Sequence, residues 1–194
     1  MKVFVGYATA NGSTRGIAER IAQGLRRHSL DVDLLPMDAG VRLSGYDAVV
    51  LGSAIHAGSW LPEGHQLVER EAASLRARPV WLFSVSTLGD EESMFRPHVS
   101  DRMRRMRKET PELAQFREWI GPQEHRNFAG AIRRSDWPAT GRAFFRAMGG
   151  HYGDHRNWAA IDAWTEQIAR SLTEEGGAAR RLQALAGGRP VLPE

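Results

Sequence analysis

A short segment near the amino terminus combines the residue types that can hold a phosphate. Thr9-Ala10-Asn11-Gly12-Ser13-Thr14 carries three hydroxyls, an amide and a glycine between an apolar run and a stretch of helical periodicity. Hydroxyl donors and loop N–H groups can converge on a phosphate there, and a helix N-terminus adds favourable partial charge. The alternative interpretation is a turn and a helix cap, which Ser, Thr and Asn often form.

The same segment excludes two common nucleotide sites. It contains no Lys or Arg before Arg15 and no Gly-Lys-Ser/Thr, and it is not a Gly-x-Gly-x-x-Gly turn. A Walker-type loop and a dinucleotide-binding turn are therefore ruled out. We predict a phosphate held by neutral donors from Thr9, Ala10, Asn11, Gly12, Ser13 and Thr14.

Two later segments have the composition expected around a flat ring. They are Ser53-Ala54-Ile55-His56-Ala57-Gly58-Ser59-Trp60 and Ser86-Thr87-Leu88-Gly89-Asp90. Such a ring needs an apolar wall, and glycines let the backbone approach its polar edge. Trp60 is a candidate to stack on the ring, and the equally weighted alternative is a plug at the start of the next helix. His56 is interpreted as a partly exposed loop residue, with tuning of the ring's charge as the alternative.

Composition limits the kind of chemistry. The chain has 194 residues, which favours a single domain, and no cysteine, which excludes disulfides, thiolate nucleophiles and cysteine-ligated metals. Any redox chemistry must come from a bound cofactor, and we predict neither a metal site nor a catalytic side chain. The amino terminus does not read as a signal peptide, and no segment approaches the roughly 20 apolar residues of a membrane span.

The positioning elements are five apolar runs that alternate with helical segments, the pattern of a parallel sheet with helices on both faces. The predicted strands are Lys2 to Tyr7, Asp31 to Met37, Asp47 to Ser53, Pro79 to Ser86 and Asn127 to Ile132. The predicted helices are one with a stripe of Ile17, Ile21 and Leu25, one from Pro62 to about Arg76, and one from Asp154 to Leu172. Ligands of such sheets bind beyond the carboxyl ends of the strands, where the three segments lie.

An insertion over about residues 91–125 separates the last two predicted strands. Its spacing predicts two helices, the second opened by a Thr110-Pro111 cap. The first carries a cluster of cations beside Phe95, Met103 and Met106: Arg96, Arg102, Arg104, Arg105, Arg107 and Lys108. This basic amphipathic element suits an anionic membrane or a carboxylate-bearing ligand, and the alternative is a solvated helix face. No nucleic-acid recognition motif accompanies it. Residues 174–194 lack an apolar period, and we expect a flexible tail.

The three loops resemble those of flavodoxins, over about residues 1–173. The resemblance implies a doubly wound five-stranded sheet of order 2-1-3-4-5, with FMN bound by its phosphate in the first loop and by its ring in the other two. Within that family, four features resemble menaquinone-dependent protoporphyrinogen IX dehydrogenase and related proteins. They are the run from Gly52 to Gly58, the insertion, Phe128-Ala129-Gly130-Ala131-Ile132, and Met148-Gly149-Gly150.

This resemblance implies an FMN-dependent dehydrogenase or quinone oxidoreductase with a quinone or porphyrinogen as redox partner. The alternative is a non-catalytic electron carrier, although the formal charge of +3 differs from the acidic surface of familiar flavodoxins. A third alternative, a receiver-type module or a scaffold without flavin, lacks the acidic cluster that a receiver needs. We expect a cytoplasmic protein that touches the inner face of the membrane through its basic insertion. The sequence leaves open whether it forms a homodimer.

Overall fold

The computed structural model describes residues 1–136, 139–147 and 149–187. The strands are β1 (Lys2–Ala8), β2 (Asp31–Pro36), β3 (Ala48–His56), β4 (Ser59–Trp60), β5 (Val80–Ser86), β6 (Glu124–Ala129), β7 (Ala131–Ile132) and β8 (Gly153–Asp154). The helices are α1 (Ser13–Arg27), α2 (Pro62–Arg70), α3 (Ala72–Arg76), α4 (Pro97–Met106), α5 (Pro111–Ile120), α6 (Ala139–Ala147) and α7 (Trp158–Gly187), with a 3-10 turn at Arg134–Asp136.

The central sheet contains five parallel strands in the spatial order β2-β1-β3-β5-β6, and the short β4 pairs antiparallel with the end of β3. Among the parallel strands this is the order 2-1-3-4-5, so the predicted doubly wound α/β fold is confirmed. The middle strand β3 is buried from Ala48 to Ser53, as a parallel strand covered on both faces must be. The strand order reverses between β1 and β3, and ligands of such sheets bind at that point, beyond the carboxyl ends.

Helices cover both faces of the sheet. On one face α1 and α7 pack together, and the predicted stripe of Ile17, Ile21 and Leu25 is fully buried with Trp164. On the other face α2, α3 and α5 cover the strands through Leu67, Leu75, Phe116 and Ile120. A salt bridge from Arg20 to Asp162 also joins α1 to α7, and His28, directly after α1, is hydrogen-bonded to Glu166 at 2.8 Å. The sheet is thus held rigidly below the loops at its carboxyl edge.

The last strand of the sheet differs from the prediction. Strand β6 begins at Glu124, three residues before the predicted start, and ends at Ala129 instead of Ile132. At Gly130 the chain leaves the sheet and crosses α1, where a Cβ would lie 2.7 Å from Ser13 Oγ. Only glycine permits this approach. Ala131 and Ile132 instead pair with Gly153 and Asp154 in a separate two-stranded sheet of β7 and β8.

Two predicted helices have different bounds. The helix predicted from Pro62 to Arg76 is interrupted at Glu71, whose φ of −100° and ψ of 13° separate α2 from α3. Helix α7 begins at Trp158 rather than Asp154, because Asp154 belongs to β8, and it continues past Leu172 to Gly187. Residues 188–194 of the predicted tail lie outside the described residues, as does Met148. Mobility of the tail stays a prediction.

The insertion contains the two predicted helices, α4 and α5. The predicted helix N-cap of α5 is confirmed: Thr110 Oγ1 accepts a hydrogen bond from the Leu113 N–H at 3.2 Å, and Pro111 occupies the first helical turn. Helix α5 packs on the sheet through Phe116, whereas Met106 at the end of α4 is 67% exposed. The insertion therefore joins the core through its second helix.

Candidate functional site

A cavity of about 570 Å³ lies at the carboxyl ends of β1, β3 and β5. This volume falls within the range of about 300–1,000 Å³ that is typical of cofactor pockets. Ten of the residues predicted from the sequence line it: Thr9, Ala10, Asn11, Ser13, Thr14, Ala54, Ile55, His56, Ser86 and Thr87. The cavity thus brings the three predicted loops together at the point where the strand order reverses.

The first loop presents a buried hydroxyl without a partner. Thr14 is 0% exposed, and among the described residues its Oγ1 makes no hydrogen bond. Thr14 lies in the first turn of α1, whose leading N–H groups have no acceptor within the helix. A buried hydroxyl costs free energy unless it is hydrogen-bonded, so this atom indicates a polar ligand in the cavity.

The other hydroxyls of the loop also fix its shape. Thr9 Oγ1 accepts a hydrogen bond from the Gly12 N–H at 3.0 Å, and Gly12 has a left-handed φ of 84° at the start of α1. Ser13 Oγ accepts from the Ala131 N–H at 2.7 Å. Each hydroxyl keeps its own proton for donation. The loop therefore offers neutral donors, and Gly12 acts through the backbone rather than as a lining residue.

The second loop is divided between the cavity and the protein interior. Ala54, Ile55 and the exposed His56 line the cavity. Ser53 is buried, and its Oγ bonds the Leu61 N–H and the Ala54 carbonyl, each at 3.0 Å. Ala57 and Gly58, both with positive φ, form an exposed turn, and the exposed Ser59 begins β4; all three lie outside the cavity lining. The loop supplies one wall through three residues rather than eight.

Trp60 is not available to stack on a ring in the cavity. It is 3% exposed, lies edge-on to Phe116 with centroids 5.2 Å apart, and donates its indole N–H to Ser84 Oγ at 2.8 Å. Its backbone N–H donates to the Glu112 carboxylate at 2.7 Å. The alternative interpretation, a plug at the start of α2, describes its position. Helix α5 of the insertion buries it, which the sequence of the loop alone does not reveal.

The third loop also turns away after two residues. Ser86 and Thr87 line the cavity, whereas Leu88 and Gly89 are buried outside its lining. A Cβ on Gly89 would lie 2.4 Å from the Ala129 nitrogen, so glycine is required there. The Asp90 carboxylate accepts from the Asn127 N–H at 2.9 Å and pairs with Arg107. Asp90 therefore anchors the loop to β6 and to the insertion.

A cap over the cavity is the part that the sequence analysis missed. We use this name for the described residues of 130–157. Five of them line the cavity: Gly130, Ala131, Ile132, Thr140 and Gly141. Val85 and Met94, which are not part of the cap, also line it. A small apolar cluster holds the cap to Met94 and Phe95, which follow the third loop, and its other members are Ile132, Phe145 and Tyr152. The resemblance of Phe128-Ala129-Gly130-Ala131-Ile132 to known relatives was the available signal.

A charged pair lies at the base of the cap. The Arg156 guanidinium binds the Asp154 carboxylate, which lowers the pKa of that carboxyl, and stacks 4.4 Å from the Trp158 ring. A Cβ on Gly16 would lie 2.5 Å from Arg156 Nη1, so this cation touches the second turn of α1. The lining of the cavity itself contains no Lys or Arg among the described residues.

Comparisons with known proteins agree with this geometry. The chain is 24% identical over 179 residues to protoporphyrinogen IX dehydrogenase [quinone] of Escherichia coli strain K12, covering 90% of this chain and 94% of that protein. Its fold is similar to that of rubredoxin oxygen:oxidoreductase from Desulfovibrio gigas, with a TM-score of 0.56 and 16% identity over 89% of this chain. The chain spans only 36% of the length of that oxidoreductase.

A flavodoxin from the domain Archaea is similar over nearly its whole length. The alignment has a TM-score of 0.51 and 16% identity, and it covers 89% of this chain and 99% of the archaeal protein. At this identity the likeness concerns the fold alone. The family described as Flavodoxin domain matches residues 4–156, which include all three loops and most of the cap. The match covers more than half of the chain, and the strand order and the three converging loops agree with it, so this chain belongs to the Flavodoxin domain family.

Proposed function

We propose that the chain is an FMN-dependent oxidoreductase, similar to a protoporphyrinogen dehydrogenase or a quinone reductase. The observation that carries the proposal is the unpartnered Oγ1 of Thr14, buried at the start of α1 and facing a cavity of about 570 Å³. Family membership supports a flavin as the ligand. A phosphate next to this hydroxyl would remove the cost of leaving it without a hydrogen bond.

The residues of the cavity suit FMN. Thr9, Asn11, Ser13 and Thr14 would hold the phosphate, with the free N–H groups of the first turn of α1 and the favourable helix dipole. Neutral donors suffice for a phosphate at such a position, which accounts for the absence of Lys and Arg from the described lining. The apolar side chains of Ile55, Val85, Met94 and Ile132 would flank the ring and exclude water from it.

When bound, FMN accepts hydride or single electrons from one substrate and passes them to another. The chain supplies binding, orientation and exclusion of water, and no catalytic side chain is needed for that. Ala54 and Ile55 on one side, and Ser86 and Thr87 on the other, lie where they would fix the plane of the ring. The name of the Escherichia coli relative supports a porphyrin precursor as donor and a quinone as acceptor.

The basic insertion supports a contact with an anionic membrane, where quinones dissolve. Met106 is 67% exposed, and Arg102, Arg105 and Lys108 are exposed beside it. An apolar residue surrounded by cations is typical of peripheral membrane binding. No helix in the described part of the chain combines the length and apolar character needed to cross a bilayer.

The test is the visible absorption spectrum of the purified protein after incubation with FMN and removal of free flavin. We expect close to one equivalent of retained flavin in the wild-type protein. Thr14→Val keeps the shape of the side chain and removes the hydroxyl. We expect this variant to bind FMN at least about 10-fold more weakly than the wild type, since a hydrogen bond to a charged group contributes about 1.5–3 kcal/mol. A colourless wild-type protein would refute the proposal.

Thr165→Val is the matched control. Thr165 is also buried, but its hydroxyl donates to the Ile161 carbonyl at 2.8 Å within α7, far from the cavity lining. This variant should retain flavin like the wild type. The enzyme and the electron carrier then separate by assay: turnover of a porphyrinogen or a hydroquinone supports the oxidoreductase. Reduction that depends on a partner protein alone supports the carrier.

A further inference from the structure

A second cleft lies beside the cavity, at the carboxyl ends of β3 and β5, against His125 and Asn127 of β6 and next to the segment that joins α4 to α5. Its volume is about 390 Å³. Ile55 and Ser86 line both the cleft and the cavity, so the two spaces share a wall. A molecule in the cleft would therefore lie directly beside the occupant of the cavity.

A buried chain of hydrogen bonds orients His125 at one wall of the cleft. The Trp60 indole N–H donates to Ser84 Oγ at 2.8 Å, and Ser84 Oγ lies 2.9 Å from His125 Nε2. An indole nitrogen can only donate, so Ser84 Oγ accepts from Trp60. Ser84 is 1% exposed, and its only other hydrogen-bond partner among the described residues is His125 Nε2, so we assign the hydroxyl proton of Ser84 to that contact. The ring proton of His125 is therefore on Nδ1, which makes no hydrogen bond to any described residue.

His125 is a neutral donor under ordinary conditions. Burial lowers the pKa of His125 to about 4, and the nearby Arg107 acts in the same direction, while the Asp90 and Glu124 carboxylates oppose both. The imidazole thus stays uncharged near pH 7, with Nε2 occupied by Ser84. What it offers the cleft is one N–H donor and no acceptor.

Three cations and one carboxylate line the cleft. Arg107 pairs with Asp90, and Arg117 pairs with Glu109. Lys108 lines the same cleft and forms no ion pair within the described ranges. The lining therefore carries a net positive charge, and Lys108 is the cation whose charge is left for a ligand.

We propose that this cleft binds the second redox substrate as an apolar molecule bearing a carboxylate. Ile55, Leu88 and Leu113 provide the apolar wall, and Lys108 and the His125 Nδ1–H provide a charge and a donor for its oxygens. This inference rests on the proposed function, because a substrate in the cleft lies beside its redox partner only if a flavin occupies the cavity. The lining carries a net positive charge, so an anion is favoured over a cation.

The experiment measures the affinity of 2-naphthoate for the full-length, FMN-loaded protein by calorimetry, with 2-naphthamide as the uncharged probe. We expect Lys108→Gln to weaken naphthoate binding by roughly 3- to 5-fold and to leave naphthamide unchanged, since exposed charges contribute modestly. Arg105→Gln is the matched control, because Arg105 is an exposed cation of α4 outside the cleft. It should leave both affinities unchanged.

Two variants of His125 test the tautomer. In His125→Asn the amide N–H₂ takes the place of Nδ1, whereas in His125→Gln it takes the place of Nε2. We expect His125→Gln to weaken both probes by roughly 3- to 10-fold, and His125→Asn to bind them like the wild type. A structural role alone would affect both variants through the lost contact with Ser84 or the altered packing.

Three results would overturn the inference: no binding of naphthoate, equal effects of Lys108→Gln and Arg105→Gln, or naphthoate binding to the flavin-free protein that is lost once FMN is bound. The last would show that the cleft holds part of the flavin. Flavin retention is read separately from the visible spectrum. A protein without flavin refutes the proposed function, and the naphthoate affinities of the variants still decide whether the cleft binds such anions.

Discussion

The side chain of Ser13 accepts a hydrogen bond from the backbone N–H of Ala131 at 2.7 Å, across 118 positions of the sequence. This contact joins the first turn of α1 to the point where the chain leaves the sheet after β6. The loop predicted to hold a phosphate and the cap are therefore parts of one structure. Its consequences can be measured at several residues.

Ser13→Ala should both loosen the cap and weaken flavin binding. The variant leaves the Ala131 N–H without its acceptor, which we expect to lower the free energy of unfolding by about 1–2 kcal/mol and the FMN affinity by about 10-fold. Urea unfolding and flavin titration measure the two effects. Ser59→Ala serves as the control, because Ser59 is exposed at the start of β4, outside the cavity lining. Unchanged stability in Ser13→Ala would contradict the role of the contact.

Gly130→Ala should disrupt the same crossing by steric overlap. Its Cβ would lie 2.7 Å from Ser13 Oγ and 3.0 Å from Val85 Cγ1, and we expect a loss of about 1–3 kcal/mol in unfolding free energy. Gly16→Ala is the contrasting control: its Cβ meets only the flexible end of Arg156, and alanine favours the helix. The double variant Ser13→Ala/Gly130→Ala should be more stable than the sum of the single effects predicts. Strict additivity would argue against the overlap.

Protonation of His125 should destabilise the fold in acid. Burial lowers the pKa of His125 from 6.5 to about 4, so the unfolded chain binds the proton first as the pH falls. Its contribution to stability is complete above pH 6.5 and is lost as the pH falls towards 4, by up to about 3 kcal/mol. Urea unfolding of the wild type and of His125→Gln at pH 7.0, 5.5 and 4.5 measures this loss.

The difference between the two proteins isolates His125, because the carboxyls with lowered pKa values are present in both: Asp33, Asp154, Asp162 and Glu166. The wild type should lose its advantage over His125→Gln as the pH falls. Parallel stability curves between pH 7 and 4.5 would show that the pKa of His125 is not lowered in the folded protein.

Glu112→Ala should detach the insertion from the loop after β3. The Glu112 carboxylate is 11% exposed and accepts from the Trp60 N–H and from His65 Nδ1, each at 2.7 Å. Its removal leaves a buried N–H without a partner, at a cost of about 1–3 kcal/mol. Faster hydrogen exchange at the Trp60 amide would report the opening. Glu118→Ala, an exposed residue on the same helix, should leave that amide protected.

Local patterns predicted the parts of the fold that depend on local chemistry. Helical periodicity determines the apolar stripe of Ile17, Ile21 and Leu25, and a hydroxyl next to a proline determines the helix N-cap at Thr110. The position of Trp60 was not predictable in this way, because its burial depends on Phe116, which lies more than fifty residues further along the chain. The cap over the cavity was missed for the same reason, since its apolar cluster joins Met94 to Phe145 and Ile132.

The candidate site divides along the same line. The sequence indicated the three loops, but not that the second loop leaves the cavity lining after His56 and the third after Thr87. Those turns follow from tertiary contacts: Ser53 bonds the Leu61 N–H, and Asp90 bonds the Asn127 N–H. The His125 tautomer depends on Trp60 and Ser84, which come from two other strands.

The crossing at Gly130 also orders events during synthesis. Ser13 leaves the ribosome long before its partner Ala131, and α7, which packs on α1, is synthesised later still. The early βα unit therefore cannot complete the cavity by itself. We therefore expect flavin uptake to follow translation of nearly the whole chain. A nascent chain halted before Ala131 should remain colourless in the presence of FMN, and one released after α7 should acquire flavin without further assistance.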